Sequence, residues 1–257
     1  MKSTDDDIHR TARLTSPLAP VKVDAMWPLL APLRPDVNAP MSLLLPPELQ
    51  FRWILPVPRV DRLPGNGKPL WALPQEAELT VPRQLEEASI PVVWKAAWNS
   101  AGLAFVVEVT GQSAWACNPD RPLESDGLQL WIDTRDTQNV HRATRFCHCL
   151  CVLPSGGGES GRDPVVVPVP VPRASQDAKL ADSDDFLVFA EHSKAGYRLA
   201  VWIPAKTLTG FDPTAQPRIG FFAQLRDKQL GTHPLALTPE FPYDGDPSLW
   251  LTLELVP

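Results

Sequence analysis

Thirty prolines, roughly double the usual share of a protein chain, constrain the fold of these 257 residues more than any other feature. A proline has no backbone N–H to donate and breaks the interior of a helix, so long helices are excluded. Only 14 glycines accompany the prolines, which argues against a flexible low-complexity chain. Because 44% of the residues are hydrophobic, the chain can still bury a sizeable core, and the composition indicates a β protein.

Apolar and polar side chains alternate in about ten segments from Phe51 onward, at the spacing typical of a sandwich. Two hairpins are predicted, over residues 92–109 and 185–204. The run VVVPVPVP, residues 165–172, is predicted as an edge strand or polyproline segment because its prolines cannot donate to a sheet. The pattern predicts an all-β, two-sheet antiparallel sandwich of jelly-roll or immunoglobulin-like type, with at most one helical turn, at 204–208.

The first 46 residues differ in pattern from the rest of the chain. Prolines recur there without a lasting periodicity, which is typical of an extension. The segment also carries apolar side chains, such as Trp27 and the run Leu43–Leu45, which a disordered tail would lack. We therefore predict a proline-rich extension over residues 1–46, part of which lies across the domain surface as a strap, and a sandwich domain over residues 47–257.

Charge and targeting signals narrow the expected partners and location. The formal net charge is -6, which argues against nucleic acid because such a partner requires a basic surface. The N-terminal residues include three consecutive aspartates and no apolar run, so no secretory signal is predicted. No stretch approaches the ~20 apolar residues of a membrane helix. The sequence therefore predicts a cytoplasmic protein without a membrane or nucleic-acid partner.

Three of the four cysteines, Cys147, Cys149 and Cys151, occupy alternate positions of one predicted strand. Their side chains would lie on one face roughly 7 Å apart, so we predict free thiols in a reducing cytosol. Zinc requires four converging ligands, but His148 would lie on the opposite face and His141 in a loop. The predicted sandwich contains no methionine that could serve as an axial ligand of haem iron. We predict no metal and no cofactor.

The sequence contains no catalytic motif, and the carboxylates at strand ends are expected to form turns and not to catalyse a reaction. The sequence contains no G-x-S-x-G, no H-E-x-x-H and no phosphate-binding loop. Asp126, Asp133, Asp136 and Asp227 are placed to form turns by accepting hydrogen bonds from nearby backbone groups. A calcium site at these carboxylates is the alternative. We therefore predict a binding protein and not an enzyme.

Four stretches, taken in order, carry a family likeness. They are residues 97–109, 125–133, 197–208 and 218–227, which include the sequences SDGLQLWID and YRLAVWIP. Their order and spacing resemble the family-nine carbohydrate-binding-module-like domains, which are relatives of the DOMON domains. The resemblance covers residues 47–257 and implies a β-sandwich that binds sugars without catalysis, on one outer face, between aromatic rings and polar side chains. Some related DOMON domains hold haem.

Three positions bear on how closely the sugar-binding face of that family is matched. The resemblance implies that Gln129 stands where sugar-binding members typically carry a glutamate. It also implies that Gln224 corresponds to a family amide. The family tryptophan that shortly precedes the strand of Gln129 corresponds to Trp115 or, in register, to Leu123.

A wider binding face is predicted from the parity of the strands. If the aliphatic residues of each strand point inward, the residues between them point outward. On one shared sheet this parity gathers aromatic, basic and amide side chains, namely Gln129, Trp131, Arg145, Arg198, Trp202, Gln224 and Arg226. Aromatic rings stack on sugars and guanidinium groups bind anions in two-point contacts, so the face suits a carbohydrate, an acidic sugar or another small anion.

Two alternatives to an open binding face remain. In the first, the N-terminal strap or a partner covers the face, and its arginines stack on its tryptophans. In the second alternative, the chain is an intracellular scaffold or assembly domain that binds a protein partner through the same face or through the N-terminal segment. A concave, open groove would favour the sugar-binding hypothesis, and a flat or covered face would favour the scaffold.

Overall fold

The computed structural model describes residues 53–64, 70–81, 92–111, 114–237 and 241–257, all of which belong to one compact unit. The proline-rich extension predicted for residues 1–46 lies outside the described residues, so its path stays a prediction. The described residues form two β-sheets without a barrel, which confirms the predicted all-β, two-sheet sandwich.

Eleven strands are found in the part of the chain that is described. In chain order they are β1 (Ile54–Pro58), β2 (Val92–Asn99), β3 (Gly102–Thr110), β4 (Gly127–Asp133), β5 (Cys147–Gly157), β6 (Asp163–Val169), β7 (Leu187–His192), β8 (Gly196–Pro204), β9 (Arg218–Asp227), β10 (Gly231–Pro234) and β11 (Leu251–Val256). The larger sheet has the order β1-β11-β9-β4-β5-β6, with β10 paired to β9, and the smaller sheet has the order β2-β3-β8-β7. Paired strands are antiparallel except for β1, which runs parallel to β11.

Proline and glycine positions explain local features of both sheets. β1 and β6 are the outermost strands of the larger sheet, and each contains two prolines, whose missing N–H groups are tolerated at an edge. The predicted edge strand in 165–172 is therefore confirmed. Gly102 begins β3 with φ +156°, and a Cβ atom there would lie 2.2 Å from the Ile203 carbonyl oxygen. Only glycine at this position allows β3 and β8 to approach each other this closely.

The predicted inward parity is confirmed in the core between the two sheets. The inward-facing aliphatic residues of β4, β5, β8 and β9 are buried in one cluster, where each large side chain contributes about 1.5–3 kcal/mol. Phe105 of β3 stacks on Phe221 of β9 across this core, with ring centres 4.8 Å apart. The inward residues predicted by parity and found in the core are Leu128, Leu130, Ile132, Leu150, Val152, Leu199, Val201, Ile203, Ile219, Phe221, Ala223 and Leu225.

Both outer faces of the sandwich carry an additional apolar layer that comes from connecting segments. On the smaller sheet, Trp202 packs beneath residues 70–77. On the larger sheet, Trp131 and Phe222 pack against residues 241–250. Side chains that point away from the main core are therefore buried too, and the outer faces are not simple solvent-exposed surfaces.

Helical structure in the described ranges is limited to short 3₁₀ turns. These turns are Gln75–Ala77, Pro122–Glu124, Ser183–Asp185, Ala205–Thr207 and Pro247–Leu249. The turn at Ala205–Thr207 falls where a single helical turn was predicted. No helix among the described residues is long and apolar enough to cross a membrane.

Candidate functional site

The predicted shared face of Trp131 and Trp202 is not formed. Trp131 lies on β4 in the larger sheet and Trp202 on β8 in the smaller sheet, and both point outward, so the sandwich separates them. Trp202 is covered by residues 70–77 and only 3% of its surface is exposed. The prediction of one common face is therefore wrong. The alternation along a strand shows which side chains point away from the core, but it does not show which of the two sheets the strand belongs to.

The three predicted arginines are also distributed over both sheets. Arg198 of β8 donates from Nη2 to Glu191 at 2.7 Å, and its guanidinium lies 4.5 Å from the centre of the Trp71 ring. Arg145 is exposed and precedes β5, whereas Arg226 is half-buried on β9 in the larger sheet. Because Arg198 belongs to the other sheet, the predicted three-arginine anion site is not assembled.

Trp115 lies against the smaller sheet. Its ring stacks on His192 with 3.7 Å between ring centres, and it meets Tyr197 edge-on at 5.6 Å. Of the two candidates for the family tryptophan, Leu123 is the one beside Gln129, which donates a hydrogen bond to its carbonyl oxygen. The structure therefore separates Trp115 from the other predicted site residues on the larger sheet.

Three predicted site residues, Gln129, Trp131 and Gln224, do come together on the outer face of the larger sheet. Gln129 of β4 and Gln224 of β9 are paired directly across the two strands. All three side chains line a cleft of about 410 Å³, which falls within the range of ~300–1,000 Å³ for small-molecule sites. The described residues that line this cleft are Leu123, Gln129, Trp131, Pro172, Gln224, Phe241, Pro242, Tyr243 and Asp244.

We define the buried floor of the cleft as Gln129, Trp131, Gln224 and Tyr243. A chain of hydrogen bonds connects three of these side chains, those of Gln129, Gln224 and Tyr243. Gln129 Nε2 donates to the Leu123 carbonyl oxygen at 2.9 Å, and Gln224 Nε2 donates to Gln129 Oε1 at 2.7 Å. The Tyr243 hydroxyl donates to Gln224 Oε1. These donors and acceptors are uncharged, so the floor is polar and neutral. Such a connected network holds its side chains in one arrangement.

Aromatic rings pack around this polar chain. Tyr243 stacks on Phe222 with 4.2 Å between ring centres and meets Trp131 edge-on at 5.8 Å. Trp131 and Tyr243 are almost fully buried, whereas Phe241 is half-buried and lines the cleft. Phe241 is therefore the lining ring that keeps surface available for stacking on a ligand. The buried indole nitrogen of Trp131 has no hydrogen-bond partner among the described residues.

Sequence reasoning missed Phe241, Tyr243 and Asp244. Residues 241–250 form no alternating strand, so no periodic pattern marks them as part of a sugar site. One usable signal was present, namely three aromatic residues within ten positions of a connecting segment. Trp250 helps to hold Tyr243 in place, because its indole N–H donates to the Tyr243 carbonyl oxygen at 2.7 Å. Loops held on a rigid scaffold commonly carry binding residues.

Two of the four strand-end carboxylates, Asp133 and Asp227, form turns as predicted. Asp126 instead accepts from backbone N–H groups of distant segments, and Asp136 accepts from the side chains of Gln138 and Thr252. Asp133 accepts hydrogen bonds from the backbone N–H groups of Arg135 and Thr137 at 3.0 and 2.6 Å. Asp227 accepts two further backbone hydrogen bonds, at 2.9 and 2.8 Å. Burial raises the pKa of Asp133. Within the described ranges, no group of three or more His, Cys, Asp or Glu side chains is placed to hold a metal ion.

Cys147 and Cys149 lie on the outer side of β5, where both join the apolar layer with Trp131. His148 has the opposite parity, and its Nε2 accepts a hydrogen bond from the backbone N–H of Thr209 at 2.9 Å. Burial raises the pKa of Cys147 to about 11 and lowers the pKa of His148 to about 4. At neutral pH the thiol and the imidazole are therefore both uncharged, which suits packing.

Comparison with solved structures identifies the fold. Two similar structures are of a carbohydrate binding module family 9 (CBM9) from Caldicellulosiruptor kristjanssonii. The complex with cellotriose is 16% identical, with a TM-score of 0.54 over 79% of this chain and 93% of that chain. The complex with glucose is 14% identical, with a TM-score of 0.54 over 79% of this chain and 96% of that chain. No family model matches the sequence, and no curated protein is similar to it.

The likeness confirms the fold that the sequence resemblance implied, a β-sandwich like that of the family-nine modules. At this level of identity the comparison carries the fold alone, because one fold can serve many functions. Function must therefore be argued from the cleft and its side chains.

Proposed function

We propose that this protein is a non-catalytic carbohydrate-binding module that takes an uncharged sugar in the cleft on the larger sheet. The cleft itself carries the proposal, since the amide of Gln224 bonds both the amide of Gln129 and the Tyr243 hydroxyl, and the accessible ring of Phe241 lines the same cleft. Sugar hydroxyls need polar partners, and sugar rings present an apolar face to aromatic rings. Two similar structures, which hold cellotriose and glucose, support this assignment.

The charge of the lining favours an uncharged ligand. None of the described lining residues is basic, and their one carboxylate belongs to Asp244. Arg173 lies just beyond this lining, where its guanidinium packs beside Gly245. An acidic sugar would meet the like charge of Asp244, and like charges in close contact repel. We therefore replace the anionic ligand expected from the sequence with a neutral sugar.

The scaffold alternative loses the shared face as its basis. It assigned a protein partner either to a face that contained both Trp131 and Trp202, which lie on different sheets, or to the N-terminal segment, which lies outside the described residues. No feature of the described residues favours that role over sugar binding. The cytoplasmic location, the exclusion of nucleic acid and the domain boundary at residue 46 stay predictions from the sequence.

Isothermal titration with glucose and cellotriose tests the proposal. We expect both sugars to bind, and we expect Phe241→Ala and Gln224→Ala to weaken binding about tenfold, the equivalent of one stacking or hydrogen-bond contact. Arg145→Ala and Arg198→Ala are matched controls, because both arginines lie outside the cleft lining. Glucuronate should bind more weakly than glucose. This function would be refuted if neither glucose nor cellotriose bound, or if the control variants lost as much affinity as Phe241→Ala and Gln224→Ala.

A further inference from the structure

The carbonyl oxygen of Leu123 sets the direction of the hydrogen-bond chain in the cleft. A peptide carbonyl only accepts, so the side-chain atom of Gln129 that lies 2.9 Å from it must be the nitrogen. The oxygen of Gln129 then faces Gln224, which must donate from its own nitrogen at 2.7 Å. One backbone atom thereby orients both side-chain amides.

The same direction determines what Gln224 can offer a ligand. Its oxygen accepts from the Tyr243 hydroxyl, and one of its two N–H groups is used by Gln129. The second N–H has no hydrogen-bond partner within the described part of the chain, and Gln224 lines the cleft. An oxygen atom of a ligand would complete the hydrogen bonding of this largely buried amide.

We infer that Gln129 is a positioning residue, which orients Gln224 to donate its second N–H to an oxygen atom of the bound sugar. This inference rests on the proposed function and deepens it. Position 129 must donate to the Leu123 carbonyl and accept from Gln224 at the same time, which a carboxamide does. An ionised carboxylate there would only accept, and it would face the Leu123 carbonyl oxygen without a proton between them.

The Gln129→Glu variant converts this requirement into a dependence on pH. A protonated glutamic acid donates from its hydroxyl and accepts at its carbonyl oxygen, so it reproduces the glutamine. Burial of position 129 should raise the pKa of the introduced carboxyl, which keeps it protonated in mild acid. Titrated with glucose, the variant should bind within about threefold of wild type near pH 5, and about tenfold or more weakly near pH 8.

Wild type and Gln129→Leu provide the controls. Wild type should change less than about twofold between the two pH values, and Gln129→Leu, which cannot form the chain, should be about tenfold weaker at both. Equal glucose affinity of Gln129→Glu at the two pH values, or wild-type affinity of Gln129→Leu, would overturn the positioning role.

Failure of the proposed function would give a different experimental result from failure of the positioning role. If wild type binds neither glucose nor cellotriose, sugar binding is refuted, and with it the contact from Gln224 to a sugar. The direction of the chain is then tested by thermal unfolding without sugar. After correction for wild type, Gln129→Glu should be more stable near pH 5 than near pH 8, and the absence of this difference would refute the direction as well.

Discussion

Acidification should destabilise the fold through His148. This side chain is buried, and its Nε2 accepts a hydrogen bond from the Thr209 backbone N–H at 2.9 Å. Burial lowers the pKa of His148 from 6.5 to about 4. The unfolded chain therefore takes up a proton on this residue at a higher pH than the folded protein does. The stabilisation is present above pH 6.5 and is lost as the pH falls toward about 4.

The magnitude follows from the two pKa values. Their separation, from 6.5 to about 4, corresponds to about 3 kcal/mol at 25 °C when both states are fully protonated. Near pH 4.5 about 2 kcal/mol of this should already be lost. Asp133 acts in the opposite direction, because burial raises its pKa and proton uptake on this carboxyl favours the folded state. A variant that changes only His148 separates the two effects.

The assay compares urea unfolding of wild type and His148→Gln near pH 7 and near pH 4.5, followed by tryptophan fluorescence. Glutamine can accept the Thr209 N–H with its side-chain oxygen but does not titrate. The free energy of unfolding of wild type should fall by about 2 kcal/mol more than that of the variant between these pH values. Equal decreases in the two proteins would refute the assignment of this pH dependence to His148.

Two further substitutions test the outer layers of the two sheets. Trp202→Ala should lower the free energy of unfolding by about 3–5 kcal/mol, because it removes a buried ring beneath residues 70–77. Its glucose affinity by titration should not change, and a loss of affinity in the folded variant would contradict the placement of the site on the other sheet. Leu123→Trp should tighten glucose binding about three- to tenfold, since Leu123 lines the cleft with 39% of its surface exposed and a ring there can stack on the sugar. Unchanged affinity would show that this wall of the cleft does not contact the ligand.

Local patterns predicted the strands and their inward faces well. The alternation in β4, β8 and β9 identified core residues such as Leu130, Val201 and Phe221, all of which lie between the sheets. Side chains alternate along any extended strand, so the distinction between inward and outward residues holds whichever strand is its partner. The prolines of residues 165–172, of which Pro168 lies within β6, likewise indicated an edge, because a strand between two neighbours needs its N–H groups.

The candidate site was predicted in part. Gln129, Trp131 and Gln224 were expected together, and β4 and β9 are in fact neighbours. Trp202 and Arg198 were assigned to the same face, but their strand belongs to the smaller sheet. The error arose in the step from parity to a common sheet, because strands of identical local pattern can join either layer of a sandwich.

The sequence by itself determined that this chain is a β-sandwich, since its proline load excludes long helices and its alternation defines inward and outward faces. Tertiary structure alone decided which outward residues share a surface. Gln129 and Gln224 lie 95 positions apart, and their hydrogen bond exists because β4 and β9 are paired. The same holds for Tyr243, which reaches Gln224 from a segment without periodicity. Contacts of this kind depend on long-range strand pairing, and a local pattern with a period of two residues carries no information about the partner strand.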